Sequence, residues 1–247
     1  MLSITFTCLA LLSFRLALAL NTDCAPGGNF DLTGWNLQLS TGDPGKPDTI
    51  PGSQLAGCKG YQDKSTFYTD SKDGALVMKV IGSPASTGCV TTKNSKHCRT
   101  ELREIKPSSW DPNAKTNRLN ATIQVTKADD SNYGTVIGQI HIDDSISTKP
   151  VCELYYNKAG VITMGVEKTR AGGSSIYTQV GNVPVGTKFD YAIIYEKNVL
   201  GVTINGGKLK TLSTNELDAP KSYFKVGNYN QGDSASEVRF YAIETKH

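Results

Sequence analysis

Three short segments of this chain carry side chains that together can fix a carboxylate, remove a proton and supply one. In Arg99-Thr100-Glu101-Leu102-Arg103-Glu104, strand alternation puts Arg99, Glu101 and Arg103 on one face, with Thr100, Leu102 and Glu104 on the other. Gln139-Ile140-His141-Ile142 presents an amide and an imidazole on one face and two isoleucines on the other. Tyr223 through Tyr229 directs Tyr223, Lys225 and Tyr229 to one side, while Phe224 and Val226 point inward. Taken singly, each segment reads as the solvated face of an antiparallel strand. The combination of arginines, an amide, an imidazole and a phenol on rigid strands exceeds what solvation requires.

The elements that must position these groups are strands. Segments rich in Val, Ile, Thr, Tyr and Phe alternate with Gly, Asn, Asp and Pro clusters, and no amphipathic helix longer than two turns is evident. Eleven strands are predicted: Asn36–Leu39, Ala75–Val80, Arg99–Glu104, Arg118–Val125, Val136–Ile142, Val151–Tyr156, Val161–Glu167, Phe189–Glu196, Val199–Ile204, Tyr223–Tyr229 and Glu237–Glu244. So many strands in one chain imply an all-β fold of two stacked sheets. YAIIYE-KN-VLGVTI is the clearest hairpin, and Asp43 to Gly52 reads as the longest Pro/Gly-rich loop.

With 247 residues, 38% hydrophobic and 20% charged, the chain can bury a sizeable core, and neither disorder nor a fibrous repeat fits. A net charge of +3 is too weak a bias to mark a nucleic-acid binder. Leu2 to Leu20 is an apolar run broken by Ser13 and Arg15, with Ala17 and Ala19 fitting a signal-peptidase site. We read residues 1–19 as a secretory leader and residues 20–247 as a single domain, with no membrane-spanning segment.

An oxidising compartment lets the remaining cysteines pair. Cys89 with Cys98 is the first pairing and Cys24 with Cys58 the next, which would leave Cys152 as a buried thiol, although five cysteines admit other arrangements. No CxxC pair or HExxH suggests zinc, and Asn120-Ala-Thr is a glycosylation sequon expected at the surface.

RTELRE, QIH and YFKVGNYNQ (Tyr223–Gln231) resemble, in order, the three signature blocks of the alginate lyases of polysaccharide lyase family 7. FDLTGWNLQLSTG and STFYTDSKDGALVMKV are also similar to that family, so the resemblance spans about Phe30 to Ile243. It implies a concanavalin-like β-jelly-roll sandwich with a concave groove for an anionic polysaccharide. By position, Arg99, Gln139, His141 and Tyr229 match the family's catalytic residues. Glu101, Arg103 and Lys225 match residues that shape or charge the groove, and Tyr223 stands beside them as a substrate-binding residue. No cofactor or metal is expected, and the protein is expected to act as a monomer outside the cell.

The chemistry of such a site is β-elimination from a β-1,4-linked polyuronate. Arg99 and Gln139 would neutralise the sugar carboxylate, His141 could accept the C5 proton and Tyr229 could protonate the departing O4. Where proton and leaving group lie on one side of the ring, as in mannuronate, Tyr229 can perform both transfers. A hydrolase needs an acid of raised pKa, whereas Glu101 lies between two arginines. A lectin would have no need of His141 and Tyr229 together. The isoleucine of QIH leans toward guluronate or mixed blocks, and glucuronan is the alternative substrate.

Blander roles suit other residues. His97 reads as a loop residue, His247 as a disordered end, Trp35 and Trp110 as packing, and Asp143-Asp144 as a solvated turn. Lys93, Lys96, Lys168 and Arg170 could form a basic rim.

Overall fold

Alternating apolar and polar side chains fold the described residues into fifteen strands. A computed structural model describes residues 19–247, so nearly all of the predicted leader lies outside the described residues. The strands are β1 (Trp35–Asp43), β2 (Lys46–Ile50), β3 (Phe67–Thr69), β4 (Leu76–Val80), β5 (Arg99–Glu104), β6 (Arg118–Lys127), β7 (Thr135–Ile142) and β8 (Pro150–Tyr156). They continue as β9 (Val161–Val166), β10 (Ile176–Asn182), β11 (Lys188–Glu196), β12 (Val199–Ile204), β13 (Lys210–Leu212), β14 (Ser222–Tyr229) and β15 (Ser236–Lys246). One sheet has the order β10-β9-β8-β7-β14-β5-β1-β2 and the other β13-β12-β11-β6-β15-β4-β3, every named pair being antiparallel. The two-sheet jelly-roll expected from the sequence is the fold observed.

The core lies between the sheets. Leu37, Leu102, Ile140, Phe224 and Val226 from the eight-stranded sheet meet Leu119, Ile123, Ile193, Tyr195 and Phe240 from the seven-stranded one, and all ten are essentially inaccessible. Burying a large apolar side chain contributes about 1.5–3 kcal/mol, so this interior holds the outward-facing residues in place. The β11–β12 hairpin turns through Lys197 and Asn198 at φ 49° and 57°, as a two-residue turn between twisted strands demands. At Gly227 a Cβ would meet the Thr100 carbonyl oxygen at 2.6 Å, so only glycine lets β14 approach β5 so closely there.

Disulfides join Cys24 to Cys58 and Cys89 to Cys98, and Cys152 is a buried free thiol. Asn120 lies half-buried on the outward face of β6, in the sheet opposite the one carrying the three signature segments. No helix among the described residues is long and apolar enough to cross a membrane.

Two local expectations are corrected. The stretch read as a loop from Asp43 to Gly52 contains β2, which pairs with β1 through Leu37 opposite Ile50. His247 is ordered: its Nε2 lies 2.8 Å from a Glu104 carboxylate oxygen, and its ring packs against Trp110 and Phe224. Glu104 also accepts from Trp110 Nε1 at 3.1 Å and from the Phe224 amide at 3.0 Å, so a buried carboxylate draws the terminal imidazole inward.

Candidate active site

Pairing register places the candidate residues before any side chain is considered. Arg99 stands opposite Tyr229, and Arg103 opposite Lys225, across β5 and β14. Lys225 stands opposite Gln139, and Tyr223 opposite His141, across β14 and β7. Paired residues share a face, so all of them project from the outer side of the eight-stranded sheet. A cavity of about 500 Å³ opens there, lined by Arg99, Arg103, Gln139, His141, Tyr223, Lys225 and Tyr229.

Glu101 lies beneath this cavity. Its carboxylate is 1% exposed and accepts from Arg99 Nη1 at 3.1 Å, from Lys225 Nζ at 2.7 Å and from the Gln139 amide. Burial opposes its charge, but Lys225 and Arg99 prevail and hold its pKa at about 2. Burial conversely draws Lys225 down to about 8 against the pull of Glu101. This anion fixes three groups of the site at once.

Arg99 stacks on the Tyr229 ring, with its guanidinium carbon 3.6 Å from the ring centroid. Its Nη2 donates to Ser95 Oγ at 3.1 Å, and the same hydroxyl lies 3.1 Å from the Tyr229 hydroxyl. Two of five guanidinium N–H groups are thus engaged, which leaves donors for a carboxylate. Burial raises the Tyr229 pKa, so the phenol keeps its proton at neutral pH, while Arg99 works in the other direction and eases formation of the phenolate. Ser95 belongs to the Cys89–Cys98 loop, which also brings His97 edge-on to Tyr229 at 6.2 Å between centroids.

The His141 Nδ1 lies 2.8 Å from the Ile142 carbonyl oxygen, which can only accept, so Nδ1 carries the proton and Nε2 keeps its lone pair. Burial, helped by Lys225, lowers the His141 pKa to about 4. Its ring stacks on Tyr223, whose hydroxyl donates to Asp144 at 2.9 Å, and Arg103 pairs with the same carboxylate at 2.9 Å. Asp143 closes its own turn by accepting from the Ser145 amide at 2.9 Å and the Ser145 hydroxyl at 2.6 Å. Among the described residues no cluster of three metal-ligating groups occurs.

Several residues of the site escaped the sequence reading. Ser95 sits in a loop, where alternation gives no direction. Glu153 and Glu167 line the cavity, and burial raises the pKa of each. A charged residue inside the apolar run Val151-Cys152-Glu153-Leu154 was the available sign, because strand alternation sets it opposite Gln139. Lys149 lines the cavity. Arg170, assigned to a basic rim, instead donates to the Leu217 carbonyl at 2.7 Å and pairs with Asp218.

A jelly-roll whose outer groove sets a stacked guanidinium and phenol beside an amide and a neutral imidazole defines a class, enzymes that grip a sugar acid and break its chain by elimination. Residues 30–247 match the family model described as alginate lyase, and the chain belongs to the alginate lyases of polysaccharide lyase family 7. It is similar to the alginate lyase of Klebsiella pneumoniae, with 27% identity over 90% of this chain and 91% of that one. Among solved structures, a tyrosine-to-phenylalanine variant of the family 7 alginate lyase A1-II′ in complex with product (GGG) has 27% identity and a TM-score of 0.76, covering 91% of this chain and 99% of its own. A histidine-to-asparagine, tyrosine-to-phenylalanine variant of the same enzyme with substrate (GGMG) has 27% identity and a TM-score of 0.77, covering 91% and 97%. The alginate lyase of Pseudomonas aeruginosa has 26% identity and a TM-score of 0.72, covering 88% and 99%.

Proposed function

We propose that this alginate lyase is secreted and acts on guluronate or mixed blocks of the polymer, with Arg99, Gln139, His141 and Tyr229 as its catalytic residues. The observation that carries the assignment of roles is Arg99 stacked on Tyr229 in the cavity that Gln139 and His141 also line. The free N–H groups of Arg99, with the second N–H of the Gln139 amide, bind the uronate carboxylate and stabilise charge that moves onto it. His141 Nε2 takes the C5 proton. The C5–H electron pair forms the C4–C5 double bond, the C4–O4 pair leaves with oxygen, and the Tyr229 hydroxyl protonates O4. On mannuronate, Tyr229 first gives up its own proton, a loss that Arg99 favours, and the phenolate then takes the C5 proton and passes it to O4 beside His141. Arg103, Tyr223 and Lys225 border the bound sugar, and Glu101 sets the positions of Arg99, Lys225 and Gln139 from below.

Isoleucine at position 140 and the GGG and GGMG ligands of the A1-II′ complexes support the guluronate reading. The apolar leader and the two disulfides support secretion. Parallel absorbance assays on polyguluronate, polymannuronate, glucuronan and pectate test the substrate: polyguluronate is expected to yield unsaturated ends fastest, and a faster rate on glucuronan would reassign it.

The pH dependence follows from His141. Protonation below about 4 removes the Nε2 lone pair, so kcat/KM is expected to hold on acidification until about pH 4 and then fall. A free imidazole would place that limb near 6.5. A rate profile between pH 3 and 8 decides, and a limb near 6.5 would remove burial as the control on this histidine.

A further inference from the structure

The groove continues past the catalytic strands. Gln139 pairs with Glu153, Glu153 with Gly165, and Gly165 with Tyr177, so the face that carries the cavity runs across β8 and β9 to the edge strand β10. Gly165 leaves a notch there, over which two rings lean: a Cβ at 165 would meet Tyr177 at 3.0 Å and Tyr155 at 3.1 Å. Tyr133, from the loop between β6 and β7, lies flat on Tyr177 with centroids 3.9 Å apart and planes within 8°. Tyr155 closes the cluster at 5.9 Å from Tyr133 and 5.7 Å from Tyr177.

This cluster is joined to the site at both ends of Tyr155. Its hydroxyl donates to Glu153, which lines the cavity, and its ring packs with Val136 and Tyr229. Yet Tyr133 and Tyr177 remain 39% and 41% exposed. Burial therefore does not account for a stacked pair of phenols at a sheet edge, continuous with a sugar-binding groove.

We propose that Tyr133 and Tyr177, backed by the buried Tyr155, form a distal platform that holds a uronate ring of the polysaccharide remote from the bond being cleaved, an inference that rests on the lyase reading of the groove. The C–H face of a pyranose is complementary to the electron-rich face of an aromatic ring, and phenol hydroxyls at the rim can meet sugar oxygens. Such contacts need no charge. Four strand spacings separate β14 from β10, about 19 Å, so only an oligosaccharide long enough to bridge both places engages both. The platform thereby converts chain length into affinity.

The test compares kcat and KM on an alginate polymer and on an alginate trisaccharide for the wild type, Tyr177→Ala, Tyr133→Ala and Tyr177→Phe, by absorbance of the unsaturated ends. In the alanine variants the preference for polymer over trisaccharide is expected to fall about three- to tenfold, carried by KM, as the loss of one stacking contact implies. Tyr177→Phe keeps the ring and is expected to keep the preference. An unchanged preference in both alanine variants, or an equal loss on polymer and trisaccharide, would overturn the platform. A wild type that yields no unsaturated ends on either substrate would instead reject the lyase reading, and the platform with it.

Discussion

Replacing Tyr229 by phenylalanine is expected to lower kcat by about 10²–10⁴-fold while the protein stays folded. The hydroxyl removed makes one protein hydrogen bond, to Ser95 at 3.1 Å, and a bond of that kind is worth about 0.5–1.5 kcal/mol. The ring stays, and with it the Arg99 stack and the packing against Val136 and Tyr155. What disappears, on the proposed assignment of roles, is the proton that reaches O4 as the glycosidic bond breaks. Initial rates of absorbance on alginate, set beside a thermal unfolding curve, separate the two effects. A variant with wild-type rates would assign the acid to another group.

Glu101→Ala carries the largest expected effect on stability. The substitution leaves Arg99 and Lys225 as two buried cations with no anion between them. Removing one member of a buried pair typically costs about 3–5 kcal/mol, which for a domain of this size lowers Tm by about 6–20 °C. The pH dependence gives a second reading of the same group. Its pKa is about 2 in the folded chain and 4.5 when unconstrained, so the folded state binds fewer protons between those values. The stabilisation is complete above about pH 4.5 and is lost as acid carries the pH down toward about 2. Glu101→Gln keeps the shape but removes the charge, and its stability is expected to lack that part of the acid dependence. Thermal unfolding at pH 7 and at pH 3 measures both, and a Tm within a degree of wild type for Glu101→Ala would show that the cations are solvated without it.

What the sequence revealed of this fold divides along a physical line. The eleven predicted strands lie inside the sheets or next to their rims, where one face or both are packed and the apolar pattern is strong. The four that the pattern missed are β2, β3, β10 and β13, which are the four edges of the two sheets. Of these, β2, β3 and β13 have three to five residues, β10 has seven but none of them is buried, and an edge is free to carry proline, as β2 does at Pro47, so alternation fades where there is no neighbour to pack against.

The site divides in the same way. Its residues on β5, β7 and β14 were legible because each sits at a fixed parity along a rigid strand. Ser95 and Asp144 were not, because loops have no parity and their partners are distant in the chain. His247 was misjudged because nothing local indicates that a buried Glu104 awaits it. Glu101 was legible as a member of the site but not as its foundation, since depth beneath a surface is a property of three strands together.

The hydroxyl that touches both Tyr229 and Arg99 is carried by the loop of residues 90–97, which a disulfide between Cys89 and Cys98 closes. Enzyme recovered from a reducing cytosol would share its sequence and nearly its mass with enzyme from an oxidising host, yet hold that tether open. Preparation history thus becomes a kinetic variable for this lyase, and thiol counting belongs beside every specific activity quoted for it.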